Sequence, residues 1–366
     1  MAVINNIKSE EISVIVQGPI HKKRTKKTLQ SIRTNLPNAE IILSTWEDSD
    51  VKGLDYDILI LNKDPGAERQ KKFKRKILYN NMSRMIFSTN NALERVTKKY
   101  TLKLRTDACV DNLNFLDVFD AFPQRCERYK LFEHRILAST LFSKIAVNKH
   151  NQKMELPFHL SDWWFFGLTE DVKKLLLSSK LPQEPYFSNY FEYPENKNKN
   201  SVYEKFDWRF SPEQYIGYSC FSAFYDDIKM EDCSDVSDLI NKKSQICMAN
   251  NFIFLEYKQS GIRNLKYSCS KNELLSGDQY LDLYSFYLFE QEYKKYCDSN
   301  YIPTAKNLIL SDREKGYRIL RFYKHIFKLI DEESPFIVKL EQVFFGIPIS
   351  GITLIPTLIK ILKERK

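Results

Sequence analysis

Lys103, Arg105, Asp107 and Asp111 stand close together in the stretch KYTLKLRTDACVDN, residues 99–112. Two carboxylates near the end of a strand can hold a hard divalent cation. A magnesium-like ion takes one or two carboxylates plus substrate phosphates, and it stabilises the charge that grows on them as a bond breaks. Lys103, Arg105 and Asp107 are all odd-numbered, so on extended chain they share one face. That face is either a phosphate site or a salt-bridged strand edge. In the second case Asp107 only compensates Arg105, or caps the turn that follows.

Such residues need strands that deliver them to one edge. ISVIVQGPI (12–20) predicts a buried strand running into a turn at Gly18 and Pro19, and TKKTLQSIRTNL (25–36) carries apolar residues at helical spacing. AEIILSTW (39–46) and YDILILN (56–62) are further strand-length runs, the second closed by the breakers Lys63, Asp64, Pro65 and Gly66. A helix is expected across 80–96, with Met82, Met85, Ile86, Leu93 and Val96 on one side, and TLKLRTD is the next strand. This alternation predicts an α/β fold with a central, mostly parallel sheet, in which ligands sit beyond the carboxyl ends of the strands. Asp107 falls at such an end. Further on, HLSDWWFFGL (159–168) reads as a strand with aromatic faces, and TEDVKKLLLSS (169–179) as a helix with Thr169 as N-cap. Residues 181–200 read as a loop. SPEQYIGYSCFSAF (211–224) has Ser211 as N-cap, Pro212 at the first helical position and Glu213 in the opening turn. Beyond about residue 235 the chain reads as mainly helical.

With 366 residues and 43% hydrophobic content, the chain can bury one large core with an appended part. Its 21 Tyr and 25 Phe against 10 Gly exclude long disorder and collagen-like architectures. The first apolar run follows Lys8, Glu10 and Glu11 and lacks a cleavage signal, so a cytoplasmic location is expected. Seven cysteines without a CxxC or CxxxC pair point to reduced thiols rather than a disulfide framework or zinc site. The net charge of +9 is concentrated in HKKRTKK (21–27) and RQKKFKRK (69–76), which would attract anions of any kind or simply form a solvated face. The segment 343–362 is almost free of charge until Lys360. It approaches the length needed to span a bilayer, but two prolines and two glycines interrupt it, so an interfacial or core-packed segment is expected.

QGPI (17–20), ILSTW (42–46), NKDPGA (62–67), NNMSRMIFST (80–89), YTLKLRTD (100–107), HLSDWWFFGL (159–168) and SPEQYI (211–216) occur in one order that resembles the WavE family of lipopolysaccharide-synthesis proteins. That family is similar to GT-A glycosyltransferases. The resemblance, over roughly residues 12–255, implies a GT-A-like nucleotide-binding domain (residues 1–255) and transfer of sugar from a nucleotide-sugar donor to a lipopolysaccharide or other surface polysaccharide; from the sequence itself, 256–366 is expected to be a helical C-terminal region whose apolar end could associate with a membrane. RTD (105–107) would occupy the DxD position with one acid in place of two, leaving Asp107, alone or with Asp111, as ligand of a divalent cation, Mg²⁺ or Mn²⁺. Gln17, Gly18 and Pro19 would lie beside the nucleotide, or form only a tight turn. Thr45 and Trp46 would meet the base, though Trp46 could equally be core. Asn81 and Arg84 would reach donor phosphate or sugar, with a plain ion pair as the alternative for Arg84; Lys103 and Arg105 would face the phosphates. The resemblance places a catalytic base near the start of a late helix, where Glu213 stands. Helix-dipole compensation is its plainer role. Asp162 competes as base or sugar ligand, and His159 would touch ligand or serve only as a hydrogen-bonded structural residue.

The expected partners are a nucleotide-sugar donor, a lipid-linked saccharide acceptor and the cytoplasmic face of the inner membrane, to which the protein would be peripheral. A nucleic-acid binder is the competing class, but Phe73 is the sole aromatic within the basic runs, which is not a stacking platform. A non-catalytic membrane-docking protein using the terminal apolar segment is the other.

Overall fold

The computed structural model describes residues 7–73, 76–149, 152–197, 208–266 and 283–304. Residues 1–266 and 282–303 make one compact unit. Of the second unit, 267–281 and 304–366, only Thr304 is described, so the apolar segment 343–362 lies outside the described residues.

In chain order the elements begin β1 (Ile12–Gln17), α1 (Lys22–Asn35), β2 (Glu40–Trp46), β3 (Ile58–Asn62), β4 (Glu68–Phe73), β5 (Lys76–Asn80), α2 (Met82–Leu93), β6 (Tyr100–Arg105) and β7 (Ala108–Val110). Then come α3 (Asn114–Val118), β8 (Ile136–Ser139), β9 (Ala146–Lys149), β10 (Gln152–Glu155), β11 (Trp164–Leu168) and α4 (Thr169–Leu177). The chain continues with α5 (Pro212–Phe224), α6 (Asp238–Asn251), β12 (Phe252–Leu255), α7 (Tyr257–Ser260), β13 (Ile262–Asn264) and α8 (Phe286–Tyr296).

Seven strands form the central sheet in the order β12-β8-β11-β6-β1-β2-β3. Strand β1 is buried throughout, and so is β6 up to its half-buried last residue, Arg105; such continuous runs belong to strands covered on both faces. All neighbouring pairs are parallel except those of β11, which runs antiparallel to both β6 and β8. The fold is therefore α/β around a mostly parallel sheet. The exception positions the site: because β11 is reversed, its first residue, Trp164, pairs with Leu104 near the carboxyl end of β6, so Asp162 and Trp163 arrive at the same edge as Gln17, Trp46 and Arg105.

Three local expectations shift. The strand expected over 159–168 pairs only from Trp164 onward, because the backbone before it bonds elsewhere: Leu160 N–H donates to the Glu213 carbonyl (2.9 Å) and Ser161 N–H to Ser143 Oγ (2.9 Å). Thr169 is the first residue of α4 rather than its cap; its hydroxyl donates to the Lys98 carbonyl (2.7 Å). The region after 235 is not purely helical, since FIFL (252–255) forms the sheet edge beside β8 and β13 pairs with β7.

Helix α5 starts as its sequence predicts, with Ser211 Oγ accepting from Gln214 N–H at 3.2 Å and Pro212 in the first turn. Gln214 Nε2 donates to the Pro157 carbonyl (3.1 Å), and Gly217 lies so close to the Phe158 backbone that a Cβ there would stand 2.1 Å from its carbonyl oxygen. This close approach holds the first turn of α5, with Glu213, against residues 157–160. Gly217→Ala is expected to lower stability by about 2 kcal/mol, as overpacking of a rigid contact does, read as a lower urea midpoint with unchanged m-value.

Candidate active site

The turn after β1 and the turn after β6 are tied to each other. Thr106 N–H donates to the Gln17 carbonyl (3.0 Å), Thr106 Oγ1 donates to the Pro19 carbonyl (2.7 Å), and Gly18 N–H donates to the Ser44 carbonyl (3.1 Å). Gly18 has φ +126°, a region glycine adopts without strain, and a Cβ would meet Thr106 Oγ1 at 3.3 Å. QGP thus lies directly beside RTD. The Gln17 side chain is buried and donates to Ser88 Oγ (2.8 Å). Ser44 Oγ donates to the Ser88 carbonyl (2.7 Å), and Asn62 Nδ2 donates to Ser44 Oγ (2.9 Å) and the Thr45 carbonyl (2.8 Å). Ser44, Asn62 and Ser88, not singled out in the sequence, make a buried polar floor under this edge; their signal was a polar residue inside an otherwise apolar run. Thr45 shares a hydrogen bond with Ser49 Oγ (3.0 Å), and Trp46 is 8% exposed, so its indole is mainly core.

The charges gather next to this floor. Arg105 Nε donates to Asp107 Oδ1 at 3.1 Å, with Asp107 almost fully buried and Arg105 one-third exposed. Asn264 Nδ2 lies 3.4 Å from the same carboxylate oxygen. The guanidinium sits 5.7 Å from the ring centre of Trp163. Lys103, fully buried, donates from Nζ to the Asp162 carbonyl. Burial pushes its pKa down to about 8, against the pull of Asp162.

Glu213 completes the group. It is half-buried in the first turn of α5. Burial, then the nearby Asp162 carboxylate, pushes its pKa up to about 7, while Lys144 and Arg105 draw it down. Asp162 and Arg105 both act electrostatically on Glu213, and the Leu160 N–H bond to the Glu213 carbonyl ties α5 to the segment that leads through Asp162 into β11. A carboxyl whose pKa lies near neutrality suits proton transfer at physiological pH.

Other expected residues lie differently. His159 is buried, and burial and the Lys144 charge push its pKa down to about 3; its Nδ1 accepts from Lys144 N–H (3.4 Å), which gives it the hydrogen-bonded structural role. Arg84 pairs with Asp64 (Nε to Oδ1, 2.8 Å) and donates to Asn81 Oδ1 (2.9 Å), so the plain ion pair is present at the start of α2. Asp111 is held by Arg263 through Nε and Nη2 and by the Tyr257 hydroxyl (2.8 Å). Burial alone would raise its pKa, but these bonds outweigh burial and hold it below the ordinary value.

The acids fit a divalent cation poorly. Asp111 is occupied, and Asp107 already faces Arg105. Among the described residues no three His, Cys, Asp or Glu side chains converge as a metal site would need.

The chain belongs to the WavE lipopolysaccharide synthesis family, whose model matches residues 12–324. No curated protein matches it. Among solved structures it is similar to a mutant Drosophila β-1,4-galactosyltransferase 7 complexed with manganese, UDP-Gal and xylobiose: 10% identity, TM-score 0.22, covering 45% of this chain and 51% of that one. The match thus spans about half of the galactosyltransferase chain. It is also similar to a cytidylyltransferase from Leptospira borgpetersenii (14% identity, TM-score 0.28, covering 65% and 96%). A third likeness is to a 4-diphosphocytidyl-2C-methyl-D-erythritol synthase from Anaerococcus prevotii (11%, 0.27, 60% and 100%). Likenesses this remote carry no argument about ligand or reaction.

The folded pKa of Glu213 lies above its ordinary 4.5, so its ionisation opposes folding. Stability should fall as pH rises from about 4.5 to about 7 and stay low above that. Glu213→Gln removes this liability and is expected to make the protein about 2 kcal/mol more stable than wild type at pH 8, discounted for partial exposure from the ~1.36 kcal/mol per pKa unit. Urea melts of both proteins at acid and alkaline pH check the sign.

Proposed function

We propose that the chain is a glycosyltransferase that moves a sugar from a nucleotide-sugar donor to a saccharide acceptor in lipopolysaccharide or a related surface polysaccharide. The observation that carries this reading is that the reversed strand β11 brings Asp162 to the edge where β6 ends in the Arg105–Asp107 pair, while the Leu160 N–H bond to the Glu213 carbonyl fastens the start of α5 to the same segment. Family membership supports the lipopolysaccharide assignment.

In this reading the donor diphosphate lies against the turn Gln17–Pro19 and the Arg105 guanidinium. Thr45 and Trp46 border the nucleoside, and Asp162 faces the sugar. Asn81 and Arg84 lie at the outer rim. Glu213 takes the proton of the acceptor hydroxyl as its oxygen bonds to the anomeric carbon, while the bond from that carbon to the diphosphate breaks and both electrons leave with the nucleotide. A base with pKa near 7 is matched to this task. A divalent cation has no step here, since the acids present do not fit one.

The acceptor is proposed to be lipid-linked, at the cytoplasmic face of the inner membrane. Lys22, Lys23, Arg24, Lys26 and Lys27 are exposed along the first half of α1, a basic face suited to anionic headgroups. Among the described residues no helix is long and apolar enough to cross a membrane.

Incubating the full chain with a panel of nucleotide sugars and a lipopolysaccharide-core acceptor is expected to release nucleotide from one donor. Glu213→Gln should lower kcat by about 10²–10⁴ while leaving donor binding within a few-fold, and the wild-type rate should fall on the acid side of about pH 7. Full turnover by Glu213→Gln would end its assignment as base.

A further inference from the structure

We propose that the Arg105 guanidinium, backed by the buried Lys103, supplies the positive charge that the leaving diphosphate requires, so that this transferase works without a divalent cation. The inference rests on the glycosyltransferase reading and specifies how its leaving group is stabilised.

A metal-dependent site needs carboxylate oxygens aimed at open space, but neither acid of the RTDACVD stretch offers them. Asp111 is engaged by two nitrogens of Arg263 and the Tyr257 hydroxyl and serves to fasten residues 257–263 to the end of β7. Asp107 is almost fully buried, with Arg105 on one oxygen and Asn264 Nδ2 near it. Where a metal would stand between acid and phosphate, the structure has a guanidinium bonded to that acid.

The cation is also held in a particular way. Nε bonds Asp107, which sets the plane of the group, and Trp163 lies against it. A planar fork fixed from behind can present paired N–H donors to two phosphate oxygens, a geometry that lysine cannot reproduce. Lys103 shares the strand face with Arg105 but is buried and tied to the Asp162 carbonyl, so it is a positioning residue: it adds positive potential and fixes residue 162 without touching substrate. Only Arg105 of the two reaches solvent.

The bond changes stay as in the transfer itself. The anomeric carbon–oxygen bond breaks, its electron pair stays on the diphosphate, and the new negative charge is met by the guanidinium rather than by a metal.

The test uses the full chain, stripped with EDTA, and reads nucleotide release from a panel of nucleotide sugars together with thermal shift by the matching nucleoside diphosphates, each in EDTA and in millimolar Mg²⁺ or Mn²⁺. The expected result is turnover and thermal shift that agree within about twofold in all conditions. Arg105→Gln is expected to lower kcat/KM by about 10²–10³, the loss typical of removing one preorganised donor, with Arg105→Lys recovering part of it. The wild-type arm decides even if Arg105→Gln does not fold. Turnover that disappears in EDTA and returns with Mn²⁺, or a folded Arg105→Gln that keeps metal-free turnover, would overturn the proposal while the transferase reading stands. If no nucleotide sugar turns over and no nucleoside diphosphate shifts the melt in any condition, the transferase reading itself fails and this inference goes with it.

Discussion

An arginine and an aspartate two residues apart, at the end of a strand buried on both faces, set what this sheet edge can hold. Taking a lone charge out of water is costly, and breaking a buried pair by removing one partner leaves the other uncompensated. Asp107 is therefore committed to Arg105, and Arg105 is oriented by Asp107. The pair behaves as one dipolar unit whose exposed end is positive. An anion, not a cation, is the natural occupant of the space beyond it.

The remaining architecture brings two further acids, Asp162 and Glu213, toward that edge. The reversed strand β11 delivers Asp162 and Trp163 to the edge where the parallel strands end. Gly217 lets α5 press against residues 157–160, and the hydrogen bond from Leu160 to the Glu213 carbonyl registers the helix on that segment. Electrostatics then separates the roles. Near Asp162 and largely removed from water, Glu213 holds its proton until about pH 7, while Lys103 keeps most of its charge at neutral pH with a pKa near 8. Asp162, Glu213 and Arg105 are thus arranged by backbone contacts of strands and helices.

The strands Ile12–Gln17, Glu40–Trp46, Ile58–Asn62 and Tyr100–Arg105 were legible because each is a strand-length apolar run ended by a turn or a charged residue. The start of α5 was legible from Ser211 and Pro212, and with it the placement of Glu213. What escaped was long-range. ILAS (136–139) and FIFL (252–255) are too short for periodicity to separate strand from buried helix. Nothing local in Asp111 announces a partner at Arg263, 152 positions away, nor does Gln17 announce Ser88. The expected aspartate pair was therefore two acids with unrelated partners, a distinction that only tertiary contacts make. For His159 the plainer alternative was already open in the sequence, and burial with the bond from Lys144 N–H gives it the hydrogen-bonded structural role.

The proposed reading puts a diphosphate against Arg105, on the sheet edge to which β11 brings Asp162 and to which α5, with Glu213, is fastened. A crystal structure of the chain with a bound nucleoside diphosphate tests this most directly. The account predicts a phosphate oxygen at hydrogen-bond distance, about 3 Å, from the Arg105 guanidinium, with Asp162 and Glu213 on the side where the sugar would continue. A diphosphate held through a metal on Asp107, with Arg105 turned away, or one bound at a different edge of the sheet, would contradict it.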